Sequence, residues 1–266
     1  MMMQYKKSVN IFFISTLLGL TACQDSSKTQ TSENKQNTTE SKANPTAQVA
    51  LITARTVAMP LKSAVVCESD ECTRYELATV KTNFSWINDY FSNRLTKDAP
   101  LAFKSTTSTQ ATASQPVQAS EPANMSEQTI NQNQYKVRYL GQYQNLASFV
   151  IDSYTYNAGA AHGLYHHEYV VFDLKQKRRI MVDDLFAKDQ RQAVVKALYE
   201  NNEEWLRNHD ITPDKFDVSD NFYYGVHGIV FVYPLYELAS YAEGMSELTL
   251  PYEQAELLLK TDYLPE

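Results

Sequence analysis

YKVRYLGQYQNLASFVIDSYTY, residues 135–156, decides the fold. Apolar and polar residues alternate through 135–140 and again through 146–156, the two-residue period of strands with one buried face. The polar run Gly141-Gln142-Tyr143-Gln144-Asn145 between them reads as the turn of an antiparallel pair. Downstream, 168–174 is a further strand, Lys175-Gln176-Lys177 a polar turn, and 179–182 a returning strand. Residues 191–209 change to helical spacing through Val194, Val195, Leu198, Trp205 and Leu206, with Asp183 or Asp184 placed as a cap upstream of them. Strands at 222–226 and 229–233 join near Gly228. A short helix is expected over 236–241, ending at Gly244, then a last strand at 247–250 and a last helix at 252–259. Antiparallel pairs with few helices predict an α+β fold with a mostly antiparallel sheet.

Upstream, 51–57, 61–67 and 72–80 are rich in β-formers and predict a hairpin or three-stranded meander. Asn83 reads as the N-cap of a helix over 84–96, whose apolar stripe is Phe84, Ile87, Tyr90, Phe91 and Leu95. Cys67 and Cys72 flank the second turn. An even pair in an exported chain reads as a structural disulfide. The intervening Glu68, Asp70 and Glu71 would raise a thiol pKa, which argues against a redox role.

At the N-terminus, Lys6 and Lys7 precede an apolar run, 9–20, of signal-peptide length. Leu20-Thr21-Ala22-Cys23 resembles the lipobox of bacterial lipoproteins. That resemblance implies cleavage after residue 22 and lipidation of Cys23, which anchors the chain to a membrane without spanning it. Gln24 follows the cysteine where an aspartate would favour inner-membrane retention, so the expected location is the outer membrane, facing the periplasm. Residues 23–48 form the lipidated cysteine and a polar tether too poor in apolar residues to fold. Residues 105–134 have the same Ser/Thr/Gln/Ala/Pro character and are expected to be a disordered insertion. It separates an N-terminal α+β part, 49–104, from a C-terminal domain, 135–266. Removing 1–22 moves the net charge from −7 to −9 by loss of Lys6 and Lys7. So acidic a chain is a poor partner for nucleic acid and a better one for basic proteins.

The constellation with most chemical content is Tyr154-Thr155-Tyr156-Asn157-Ala158-Gly159-Ala160-Ala161-His162-Gly163, and after it Tyr165-His166-His167. The His-x-x-x-His spacing suits a metal on a helix, but the small, glycine-containing flanks argue for a loop, and on a strand His166 and His167 point to opposite faces. Polysaccharide deacetylases place an acidic pair before their histidines; here Asp183-Asp184 come after. No nucleophile elbow or phosphate loop is present. No catalytic residue, cofactor or metal is therefore assigned.

Gly159-Ala160-Ala161-His162-Gly163 resembles the Gly-Gly-Ala-His-Gly signature of the RsiV-like exported domain family. Phe172-Asp173-Leu174 with 181–186, and Gly228-Ile229-Val230-Phe231, Tyr236, Ala239, Tyr241-Ala242-Glu243-Gly244 and Pro251-Tyr252, are similar to its later motifs. The likeness covers 135–259 well and 49–104 in outline. Ala160 stands where that signature has its second glycine. Family members occur in an anti-sigma factor whose exported domain binds lysozyme, and beside the catalytic domain of the peptidoglycan deacetylase PdaC. The resemblance implies a mixed α/β envelope-binding module. Anti-sigma activity is not carried over, because that role needs a cytoplasmic segment and a transmembrane helix. The expected function is binding rather than catalysis: a lipid-anchored cell-envelope protein recognising a lysozyme-like protein or peptidoglycan. Its expected ligand-binding residues are Tyr154, Tyr156, Asn157, Gly159, His162, Gly163, Tyr165 and His166, since tyrosine gives large contact area with a polar tip. Two alternatives stay open: a metal-assisted envelope hydrolase built around His162 and His166, and a structural envelope lipoprotein.

Overall fold

The computed structural model describes residues 49–68, 71–104 and 130–264. The signal segment 1–22, Cys23, the tether to residue 48 and most of the 105–134 insertion lie outside the described residues. The fold is α+β. Its strands are β1 (Ala54–Ala58), β2 (Val65–Glu68), β3 (Glu71–Thr82), β4 (Asn131–Tyr143), β5 (Leu146–Tyr156), β6 (Leu164–Asp173), β7 (Arg178–Ile180), β8 (Phe222–Tyr224), β9 (Gly228–Tyr233) and β10 (Ser246–Pro251). Its helices are α1 (Ser85–Asp98), α2 (Val182–Leu185), α3 (Arg191–Asn201), α4 (Glu203–Asn208) and α5 (Tyr252–Leu258).

A seven-stranded sheet runs β1-β3-β4-β5-β6-β7, with β2 also on β3. A three-stranded sheet runs β10-β9-β8. Of the expected hairpin or three-stranded meander, the hairpin β2–β3 forms and the meander does not. β3 is long enough for β2 to pair with its start, Glu68 opposite Glu71, and for β1 to pair with its end, Ala54 opposite Thr82. β1 and β2 therefore succeed one another along β3 instead of pairing. Cys67 and Cys72 face each other across β2 and β3, Cα atoms 4.0 Å apart, and are bridged.

One pair breaks the antiparallel rule: β3 and β4 run parallel, Thr73 opposite Asn131. A parallel connection needs a crossover, and α1 lies within it. The first four residues of β4, which by composition belong with the insertion, are thus strand. Their backbones pair with β3 and with β5, which outweighs the polar side chains of Asn131–Gln134. This joins the 49–104 part and the later strands in one sheet. The β4–β5 connection is also tighter than expected: Tyr143 pairs with Leu146, and Gln144 takes a positive φ of 49°.

Helix α1 lies on one sheet face. Its Ile87, Phe91 and Leu95, spaced by four, are fully buried. Phe91 meets Phe149 and Phe172 with ring centroids 5.1 and 5.7 Å apart. Asn83 does not cap this helix. Its amide instead accepts from Thr53 N and donates to the Leu51 carbonyl, and the Thr82 hydroxyl accepts from Phe84 N. A second core is built from α3, α4, α5 and the smaller sheet, around Val194, Leu198, Leu206, Phe231 and Leu250. The single helix expected over 191–209 is two helices: the Asn202 backbone leaves helical geometry at φ −119°, and its side chain bonds the Leu198 and Thr249 carbonyls. Asp184 caps only the short α2, accepting from Met181 N at 2.8 Å.

Candidate functional site

β5 and β6 form a long antiparallel pair, and the connection 157–163 stands at its end. Residues 157–162 are exposed, while Gly163 is buried. Asn157 closes a turn by accepting from Ala160 N at 2.9 Å. Gly159 sits at φ +84°, which a side chain rarely adopts. Ala160, the departure from the glycine signature, is accommodated in that turn. Gly163 has a different constraint: a Cβ there would run into the ring of Tyr154.

A second segment meets this loop. The helix expected over 236–241 does not form; Tyr236 takes φ +69°, and only a 3-10 turn, Tyr241–Glu243, comes after it. The Tyr241 hydroxyl donates to the Gly163 carbonyl at 2.9 Å. His162 stacks on Tyr241 with centroids 4.0 Å apart and also contacts the Gly163 carbonyl through Nδ1, 3.1 Å away. Tyr236 stacks on Tyr241 at 5.7 Å, and Tyr165 meets it edge-on at 6.3 Å. Gly244, at φ +83°, lies against the Tyr165 hydroxyl. The result is a strip of rings, Tyr154, Tyr165, His162, Tyr241 and Tyr236, drawn from two segments about 80 residues apart.

The strip is braced from two sides. Glu243 accepts from His209 Nε2 at 2.6 Å and from the Ser240 hydroxyl, while His209 Nδ1 reaches the Trp205 carbonyl. The Trp205 carbonyl and Glu243 together raise the His209 pKa, and His209 lowers that of Glu243. On β6, His167 Nδ1 lies 2.8 Å from Asp152 Oδ1, and Arg138 forks onto the same carboxylate. Burial opposes ionisation of Asp152, but hydrogen bonds from Arg138 and His167 prevail and hold its pKa low.

The free edge of β6 is closed by side chains. Asn221 accepts from Tyr169 N at 2.7 Å and donates to the His167 carbonyl at 2.7 Å, while His167 N reaches Met245 Sδ at 3.3 Å. These contacts tie the smaller sheet to the larger one beside the strip.

Of the residues singled out from sequence, Tyr154, His162, Gly163 and Tyr165 come together, and Asn157 and Gly159 shape the loop. Tyr156 lies further along β5, opposite Gln132. His166 does not join them. Strand alternation turns it to the α1 face, near Glu168 and Arg94, where burial lowers its pKa. Glu168 there pairs with both Arg94 and Arg179. The three histidines thus do not converge, and among the described residues no group of three or more His, Cys, Asp or Glu is arranged to hold a metal ion. Tyr236 and Tyr241 join the site without being expected there. The stacking partner of His162 is distant in sequence, and no local pattern announces it.

No curated protein matches the chain. Solved structures that share its fold include two DUF3298 proteins. A DUF3298 family protein from Pseudomonas aeruginosa PAO1 has a TM-score of 0.55 at 16% identity, covering 82% of this chain and 99% of that one. A DUF3298 family member from Bacteroides fragilis NCTC 9343 has a TM-score of 0.57 at 17% identity, covering 80% and 96%. Residues 183–253, which include Tyr236, Tyr241 and the His209–Glu243 pair, match the family described as "Protein of unknown function (DUF3298)", and with the shared fold this supports a DUF3298-type domain.

Proposed function

We propose that the protein is a lipid-anchored binding module of the cell envelope, RsiV-like in character, that recognises a lysozyme-like protein or peptidoglycan and catalyses nothing. Lipidation of Cys23 would hold it at the outer membrane, facing the periplasm. The observation that carries the binding reading is the stacking of His162 on Tyr241, which locks an exposed loop to a second segment and presents a strip of aromatic rings. A surface of this kind gives contact area with little rotamer freedom to lose on binding. The lysozyme-like partner is supported by the family resemblance and by the acidic charge of the chain.

Calorimetric titration of the full chain with lysozyme tests this. Binding in the micromolar range or tighter, weakening with salt, is expected. No heat at high-micromolar concentration at either low or physiological salt overturns the lysozyme form. Metabolic labelling with a fatty-acid analogue, lost in Cys23→Ala, tests the anchor; recovery mainly in the inner-membrane fraction contradicts the outer-membrane location.

A further inference from the structure

We infer that the aromatic strip receives a cationic side chain, a guanidinium or ammonium group on the surface of a basic protein, and that Tyr236 is the ring on which the charge lies. This rests on the proposed binding role and narrows it to one partner chemistry.

Tyr236 is the first observation. Its backbone sits at φ +69°. A bulky residue in this region is a strained outlier, whereas the other non-glycine residues at positive φ are Gln144, Lys177, Asp189 and Asp210, all polar. The strain does not serve the core, because Tyr236 is 58% exposed. A strained backbone that displays a large ring to solvent is accounted for by what the ring contacts from outside.

The arrangement of the rings is the second. Tyr241 stacks with both His162 and Tyr236, at centroid distances of 4.0 and 5.7 Å. Tyr236 stacks on Tyr241 alone among the described rings and keeps most of its surface in solvent, and the face of such a ring is the negative pole of its quadrupole.

Charge is the third. The two segments that build the strip, 154–165 and 234–247, contain no Lys or Arg, while the second contributes Glu237, Glu243 and Glu247. Glu237, next to Tyr236, has no ion-pair partner among the described residues, and burial raises its pKa. Around Tyr236 these two segments thus supply rings and carboxylates and no Lys or Arg of their own, and His209 is held by Glu243. Peptidoglycan, whose peptide stems carry carboxylates, meets like charge.

The test is calorimetry of the full chain with a hexa-arginine peptide and with hexa-citrulline, its uncharged near-isostere. Hexa-arginine should bind and hexa-citrulline should not. Tyr236→Gly suits the left-handed backbone and removes the ring, so it should keep the melting temperature and weaken hexa-arginine by ~5- to 30-fold. Tyr236→Asn, which also tolerates this backbone, should do the same, and Tyr236→Phe should retain binding. Hexa-arginine binding unchanged in both ring-less variants means general attraction to an acidic surface and overturns the inference. So does absence of hexa-arginine binding, or a chito-oligosaccharide that binds in its place and is lost in Tyr236→Gly. Tyr236-dependent hexa-arginine binding with lysozyme silent upholds the inference and removes lysozyme as the partner.

Discussion

The Tyr241 hydroxyl donates to the Gly163 carbonyl at 2.9 Å, bridging residues that lie far apart in sequence. Gly163 is buried, so its carbonyl has little access to water and relies on Tyr241 and His162. This contact fixes the β5–β6 loop against the 241–243 turn.

Tyr241→Phe keeps the ring stack and removes the donor. The expected loss is about 1 kcal/mol of unfolding free energy, the usual net worth of one hydrogen bond. Amide exchange should quicken at 158–163 more than in β5, whose ladder is untouched. Uniform quickening would contradict the local role.

Two glycines in that loop should fail for different reasons. Gly159→Ala meets open space but a φ of +84°, so it should cost about 1 kcal/mol and leave Tyr154 in place. Gly163→Ala meets the Tyr154 ring and must displace it, at roughly 1–3 kcal/mol. Aromatic NMR shifts of Tyr154 separate the two, moving strongly only in the second.

The strands, the α+β class and the Cys67–Cys72 pairing are legible in the sequence, because alternation and spacing are local. The α1 stripe is legible for the same reason: Ile87, Phe91 and Leu95 repeat with the helix. What stays hidden depends on partners far away. The polar residues 131–134 carry no apolar signal, and only the flanking β3 and β5 make them a strand. Asn202 has helix-compatible neighbours on both sides, and its side chain also reaches the Thr249 carbonyl, a partner no local pattern shows. Half of the candidate site is visible around Gly159–Gly163. The stretch 236–241 reads as a short helix, and the positive φ of Tyr236 that prevents one leaves no compositional trace.

The His209–Glu243 pair predicts a pH window. The folded His209 pKa is raised, so its contribution is full below the unfolded value and is lost as pH rises through the folded one. The folded Glu243 pKa is lowered, so its contribution is present above the unfolded value and is lost as pH falls through the folded one. The pair should therefore act most strongly between about pH 4.5 and 6.5, the ordinary pKa values of the two groups. His209→Gln should lower the melting temperature within that interval and flatten its decline on either side, as pH rises through the folded His209 value or falls through the folded Glu243 value. An unchanged profile would show that the pair is fully screened by solvent.

Reducing the Cys67–Cys72 bridge should cost about 2 kcal/mol, because the loop it closes is short and removes little unfolded-state entropy. The loss should appear in chemical denaturation under reducing conditions and be absent from Cys67→Ser/Cys72→Ser, which starts without the bridge.

Asn221→Ala leaves Tyr169 N and the His167 carbonyl without their partner, an expected loss of roughly 2–4 kcal/mol at about 1–3 kcal/mol for each abandoned group, softened where water enters. Asn221→Asp keeps the acceptor and loses the donor, so it should fall between Ala and wild type in denaturant titration.

The same Asn221 contacts, with Met245 on His167 N, restrict how another molecule can dock. A naked sheet margin invites foreign strands to zip on, which is both a common route of peptide capture and a common route to fibrils. Here an amide and a thioether occupy the hydrogen-bonding slots that an incoming strand would need at His167 and Tyr169. A molecule docking beside the strip must engage it through side chains, and neighbouring copies gain no template for sticking together along this margin.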